Sequence, residues 1–239
     1  VDVVESDGAL VRIARKLLGF RENSTLHVLI ADPVDYLRQV AVKEIQKKYD
    51  WIIVDCVDYD NKLNTNYARL EFIANLRNAL SGNGVVSVNI PNRDPQFIYN
   101  VVQNWRLAFP MRTILLVHCT TTDNTVLMTF QDVIERGKVS FGTVANVDEF
   151  VDLLHTQAHH YGNNRVGFDI VREVNAENFR ILNPDQEYPI EYYLPVHHPV
   201  VRKRLLASME GHRGGPDSSP QRVNDSWNRW FRATVGSWL

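Results

Sequence analysis

Residues 1–7 read VDVVESD, and the same shape returns at residues 26–32 (LHVLIAD) and 51–55 (WIIVD). Each is a short apolar run closed by a carboxylate, the pattern of a buried parallel strand that delivers its last residue to the carboxyl edge of a sheet. Between the first two runs, Leu10, Ile13, Leu17 and Leu18 recur at helical spacing over residues 8–20, with Gly19 as a stop. Between the second and third, Val34, Leu37, Val40, Ala41 and Ile45 do the same over residues 33–48. Pro33 suits the first helical turn, where its missing N–H would have no partner in any case.

The alternation continues with a helix over about residues 66–80, a turn at Ser81-Gly82-Asn83-Gly84, a strand over residues 85–90 and a helix over about residues 95–108. Then the rhythm changes. Residues 113–118 (TILLVH) and 125–131 (TVLMTFQ) flank a polar turn around Thr122-Asp123-Asn124, which predicts an antiparallel hairpin. The expected fold is α/β: a Rossmann-like, mostly parallel sheet finished by a C-terminal antiparallel hairpin, with right-handed crossovers placing helices on both faces. Residues 1–131 form this domain. Residues 132–210 read as a mixed extension or lid, with a helix expected over residues 147–161 and little regular period over 163–201. Residues 211–239 read as a linker (GHRGGPDSSP) followed by a basic, aromatic tail.

The chain has 239 residues, 44% hydrophobic and 23% charged, with a net charge of −2. A surface that neutralises phosphates needs an excess of Lys and Arg, so a general nucleic-acid binder is disfavoured. The balance is uneven: residues 202–239 carry seven Lys or Arg against three Asp or Glu, leaving 19 basic and 25 acidic residues before them. No apolar run approaches the roughly 18–20 residues that span a bilayer, and a soluble protein without membrane contact is expected. The two cysteines, Cys56 and Cys119, are too few for a disulfide framework or a four-thiolate zinc site. They point to an intracellular reducing compartment, cytoplasmic or mitochondrial.

In an open α/β sheet, ligands bind beyond the carboxyl ends of the strands. Three successive strands end in acids there. Glu5 closes the first, where a carboxylate accepts hydrogen bonds from both hydroxyls of a ribose. Asp32 closes the second, where its carboxylate or the neighbouring backbone at Ala31 meets an adenine amino group. Asp55 and Asp58 close the third in Asp55-Cys56-Val57-Asp58. A single strand-end acid most often caps the next helix; three in succession favour a nucleotide crevice.

The strings VDVVESDGALVRIARKLLGF, LHVLIADPVDYL, YDWIIVDCVDYD and LSGNGVVSVNI together resemble the spermidine-synthase-like branch of class I S-adenosylmethionine-dependent methyltransferases over residues 1–131. The resemblance implies that Glu5 holds the ribose, that Asp32 with Ala31 and Asp55 completes the cofactor site, and that Asp55 and Asp58 form the catalytic D-x-x-D element. In the aminopropyltransferases of this branch, which use decarboxylated S-adenosylmethionine, a Pro and a Gly-Pro pair follow that element. Here Asp58-Tyr59-Asp60-Asn61-Lys62 has neither, and Lys62 adds positive charge where a cationic amine would dock. The protein methyltransferases that modify translation elongation factor 1-alpha are the more similar members, through Gly19-Phe20, Ala31-Asp32 with Asp35-Tyr36, and Asn89 with Arg93-Asp94.

The expected function is therefore S-adenosylmethionine-dependent methylation of a macromolecule, protein in the first place. An aminopropyltransferase is the second enzyme reading. The branch's first strand and its Gly-x-Gly-type turn belong just before Val1; the Gly-x-Gly at Gly82-Asn83-Gly84 follows a helix and not that strand, so it does not supply the turn. The expectation of an enzyme thus depends on that turn lying upstream; without it the chain reads as a non-catalytic methyltransferase-like subunit of a larger assembly. His155 and His159 lie four apart, and His159-His160 and His197-His198 are adjacent pairs, but no Cys or acid completes a motif and no metal site is expected. In residues 222–239, Arg222, Arg229 and Arg232 interleave with Trp227, Trp230, Phe231 and Trp238, a composition suited to a partner protein or to RNA in a ribonucleoprotein.

Overall fold

The computed structural model describes residues 1–58, 63–91, 94–110, 112–119, 124–130, 151–152, 155–156, 179–182, 186–194 and 203. All but Lys203 lie in one compact unit, Val1–Val196. The linker and tail of residues 211–239 and the histidines at 159, 160, 197 and 198 lie outside the described residues. Within the stretch 147–161, the described residues Val151, Asp152, His155 and Thr156 are helical, as expected.

Strands β1 (Asp2–Glu5) and β2 (His27–Ile30) pair in parallel, with Asp2 opposite His27 and Glu5 opposite Ile30. Helix α1 (Gly8–Leu17) joins them. The Asp7 carboxylate caps it by accepting from the Ala9 amide at 2.7 Å, and Gly19 takes a φ of 70° beyond its end. Helix α2 (Pro33–Ala41) follows β2 and ends well short of residue 48. Lys43 adopts a left-handed φ of 63°, reversing the chain so that Lys47 and Tyr49 reach the start of β3 (Tyr49–Val54). The apolar spacing through Ile45 mimicked a longer helix that this reversal forbids.

Strand β3 pairs in parallel with β4 (Leu80–Ile90), which follows helix α3 (Leu70–Ala79). Residues 81–84 were expected as a turn; they form an irregularity inside β4, because Tyr49 faces Leu80 while Trp51 faces Val85. Gly84 permits it: a Cβ there would lie 2.9 Å from the Tyr49 carbonyl oxygen. After helix α4 (Pro95–Ala108), β5 (Ile114–His118) and β6 (Thr125–Phe130) form the expected antiparallel hairpin, with β6 inserted next to β4. A further strand, β7 (Phe179–Leu182), pairs antiparallel with β5. Its four residues are buried, Arg180 among them, and that charge in a four-residue apolar run hid the strand from pattern reading.

The strands thus form two pieces, β1-β2 and β3-β4-β6-β5-β7. Helices α2, α3 and α4 pack in a row, and the centre of the core lies between them and β4. Ile73, Leu76 and Ala79 of α3, Val102 and Trp105 of α4, and Val86, Val88 and Ile90 of β4 are fully buried. Burying an aliphatic side chain of this size contributes about 1.5–3 kcal/mol. The first three strands are less buried than their composition implied. Trp51 and Ile53 on one face of β3 are 59% and 65% exposed, and Leu10, Ile13 and Leu17 on one face of α1 are also exposed. Among the described strands, β1 pairs with β2 alone and β3 with β4 alone.

Side chains link the two pieces where backbone pairing does not. The Asp2 carboxylate at the start of β1 accepts from Lys47 Nζ at 2.7 Å and from the Tyr49 hydroxyl at 2.9 Å, and Tyr49 in turn lies 2.6 Å from the Tyr36 hydroxyl on α2. The hydrogen bond from the Lys47 ammonium holds the Asp2 carboxyl below the usual carboxylate range, against partial burial that pulls it upward. A carboxyl depressed in the folded state stabilises the fold above its unfolded pKa, and that contribution is lost as pH falls through the folded pKa. Asp2→Asn is therefore expected to lower stability by about 1 kcal/mol at pH 7, the upper range for a partly exposed pair. Urea midpoints at pH 7 and pH 3 check this: the gap between variant and parent should close at the lower pH.

Candidate functional site

The carboxyl ends of β1, β2 and β3 carry the three acids expected there, and each has one oxygen fixed by a donor of the fold. Glu5 Oε1 accepts from the Asp7 amide at 2.8 Å. Asp32 Oδ1 accepts from the Val34 and Asp35 amides at 2.7 and 3.2 Å, so this residue is also the N-cap of α2. Asp55 Oδ1 accepts from Asn89 Nδ2, at the end of β4, at 2.9 Å. The second oxygen of each carries no hydrogen bond among the described residues. Such a carboxylate is oriented but not saturated, and it accepts from hydroxyl or amine donors of a ligand.

Ala31 stands between two of these acids, and its N–H donates to the Glu5 carbonyl at 3.1 Å, which ties the end of β2 to the end of β1. That amide is committed to the backbone, so the corner offers its carboxylates to a ligand and not the Ala31 N–H. Asp58 lies just beyond Val57, which bridges to Leu63 across residues 59–62. Lys62, whose charge weighed against a polyamine, lies outside the described residues.

Two side chains that the sequence did not mark as functional stand among the acids. The Cys56 carbonyl receives the Asn64 amide at 3.4 Å, and Asn64 opens a short 3-10 turn (Thr65–Ala68) by accepting from the Asn66 amide. The turn sets the Tyr67 ring edge-on against Phe72 at 5.1 Å between centroids. Burial pushes the Cys56 thiol up, Tyr67 opposes this by its hydrogen bond, and the negative charges of Asp55 and Glu5 add to the rise. Burial likewise pushes the Tyr67 phenol up to about 12, reinforced by Cys56, Asp32 and Glu5. Glu5, Asp32 and Asp55, spread over both pieces of the sheet, therefore act on one thiol–phenol pair. Cys56 is a protonated wall residue and not a reactive thiol, in keeping with its small size at a strand end.

No local pattern could have singled out Tyr67, because its place depends on how the loop after Asp58 returns to Cys56. Asn89 lies one strand over from Asp55, and only the β3–β4 register brings the two together. Its amide oxygen is buried without a hydrogen-bond partner, an acceptor beside the Asp55 carboxylate. Among the described residues, no group of three His, Cys, Asp or Glu is placed to hold a metal ion, and no helix is long and apolar enough to cross a membrane.

A model of the spermine/spermidine synthase domain matches residues 1–141, more than half of the chain. The chain belongs to that family. Within its wider relations it is 27% identical over 116 residues to a bovine eEF1A lysine and N-terminal methyltransferase, a match covering 46% of this chain and 17% of that protein. The mouse protein of the same description is 28% identical over 116 residues, covering 46% of this chain and 16% of its own length. The chain thus spans about a sixth of the length of these relatives. Among solved structures, human methyltransferase-like protein 13 in complex with SAH superposes with a TM-score of 0.55 at 20% identity, covering 71% of this chain and 73% of that one. The Rossmann-like methyltransferase fold is therefore established, with the parallel β1–β4 strands and the antiparallel hairpin in the expected places.

The double duty of Asp32 can be separated experimentally. Asn caps helices about as well as Asp, whereas Ala costs typically about 1 kcal/mol. Asp32→Asn is expected to keep the denaturation midpoint of the parent and Asp32→Ala to lower it, as read by urea titration followed by circular dichroism.

Proposed function

We propose that this protein is an S-adenosylmethionine-dependent methyltransferase that modifies protein. The observation that carries the reading is the arrangement of Glu5, Asp32 and Asp55: three neighbouring strand ends, three carboxylates each fixed through one oxygen, and the other oxygen of each left to accept. A nucleoside with a ribose diol and an exocyclic amine supplies the matching donors. Glu5 suits the diol and Asp32 the adenine amino group. The relatives described as methyltransferases of eEF1A support a protein substrate, and the missing Pro and Gly-Pro after Asp58 weigh against a polyamine.

S-adenosylmethionine, when bound, supplies a methyl group on a positively charged sulfur. The residues of this chain need to align an amine with that methyl and keep the amine neutral, because only a free lone pair attacks. Asp55 is placed to do both. Its anchored oxygen is held by Asn89, and its other oxygen is available to accept an N–H of the incoming amine and then its proton. The resemblance gives Asp58, three residues on, the second place in the catalytic D-x-x-D element. The basic, aromatic residues 222–239 suit a contact with the macromolecule being modified, protein or ribonucleoprotein.

A methyltransferase-like scaffold that binds no cofactor would share this fold and is the second reading. Titration calorimetry of the full-length protein with S-adenosylmethionine separates the two. Saturable one-to-one binding is expected, weakened about 10- to 100-fold by Glu5→Gln, the range for one or two hydrogen bonds to a charged group. Absence of binding to a folded protein overturns the enzyme reading and leaves the scaffold.

A further inference from the structure

A carboxylate accepts from two vicinal hydroxyls most strongly when its plane is fixed before the ligand arrives, because the ordering of the side chain is then not charged against binding. Glu5 has such a fixture. Its Oε1 accepts from the backbone N–H of Asp7 at 2.8 Å; the exposed Ser6 hydroxyl stands at 3.5 Å, the outer limit of a hydrogen bond. Asp7 is itself fixed at three atoms. Its N–H goes to Glu5, its Oδ1 accepts from the Ala9 amide at 2.7 Å, and its carbonyl accepts from the Val11 amide at 3.3 Å. Val11 is the buried residue of α1, so the last of these bonds ties Asp7 to the seated face of the helix. The cap holds Asp7 extended, at φ −86° and ψ 94°. With the helix as frame, these two torsions set where the Asp7 N–H points, and it points at Glu5.

We propose that Asp7 is a positioning residue for the ribose site: by capping α1 it fixes the amide that holds the Glu5 carboxylate ready for a vicinal diol. This rests on the proposed function, since it presupposes a nucleoside at Glu5. Asp7 acts through Glu5 alone, its own N–H and carboxylate being spent on Glu5 and Ala9. Asparagine caps through the same kind of side-chain oxygen and leaves the backbone as it is, so it replaces Asp7 without loss. Glycine costs a helix little as an N-cap residue but frees both torsions, so it loosens Glu5 while the helix persists.

The test uses the full-length protein with two probes, S-adenosylhomocysteine and its 2′,3′-dideoxy analogue, which lacks the hydroxyls that Glu5 accepts from. Calorimetry should show Asp7→Gly binding S-adenosylhomocysteine about 3- to 10-fold more weakly than the parent, the range for one hydrogen bond lost. The dideoxy analogue should bind Asp7→Gly and the parent alike, which also reports that the variant is folded. Asp7→Ala, the second variant without a cap, should behave as Asp7→Gly does, and Asp7→Asn should match the parent for both ligands. Equal weakening of both ligands marks a merely structural role for the cap and overturns the inference. Parent-like binding of S-adenosylhomocysteine by Asp7→Gly overturns it too, as does a failure of Asp7→Asn to restore the affinity or a parent that binds both ligands equally. If the parent binds neither ligand, the proposed function fails and this inference with it. If the parent binds S-adenosylhomocysteine and any of the other contrary results appears, only this inference fails.

Discussion

The hydrogen bonds that Asp2 receives from Lys47 and Tyr49 are the constraint on which the site depends. Glu5 and Asp32 sit on the strand pair β1-β2, Asp55 sits on the larger sheet, and no backbone hydrogen bond joins the two pieces among the described strands. An ion pair of this exposure contributes at most about 1 kcal/mol. The apolar residues of α2 do more: Tyr36, Leu37 and Val40 are buried, and a side chain of this kind is worth about 1.5–3 kcal/mol when fully buried. Packing of α2 onto α3 therefore supplies most of the holding energy. The Asp2 contacts are directional, and they set how far β1 stands from β3 and at what level.

Given that level, the chemistry of the site follows from which atoms are already engaged. Asp32 spends one oxygen on the α2 amides, Glu5 one on Asp7, and Asp55 one on Asn89. Each is pinned without being neutralised. The charge that results is felt at Cys56 and Tyr67, which both stay protonated. The strand ends thereby present acceptors, a complement suited to the hydroxyls and amino group of a nucleoside and, at the Asp55–Asn89 corner, to an amine.

Much of the fold was legible because its signals are local. Apolar runs ending in acids marked β1, β2 and β3, and Pro95 with the apolar spacing to Ala108 marked α4 at both ends. The failures have physical causes. Residues 42–48 kept helical periodicity although Lys43 reverses the chain, and Ser81–Gly84 looked like a turn because glycine also serves an irregularity inside a strand. Strand β7 was hidden by Arg180, whose guanidinium is buried against the Phe179 carbonyl and the Tyr192 ring. In the site, the strand-end acids were readable from position alone. Tyr67 was not, since it depends on the return of a loop; Asn89 was marked only through the family resemblance, and its pairing with Asp55 depends on the register between two strands.

A crystal structure of the full-length protein grown with S-adenosylhomocysteine tests the central claim most directly. The account predicts the ribose hydroxyls on the Glu5 carboxylate, the adenine amino group on Asp32, and the sulfur facing Asp55. A nucleoside bound elsewhere, or an empty crevice at saturating ligand with Glu5, Asp32 and Asp55 in their present places, would contradict it.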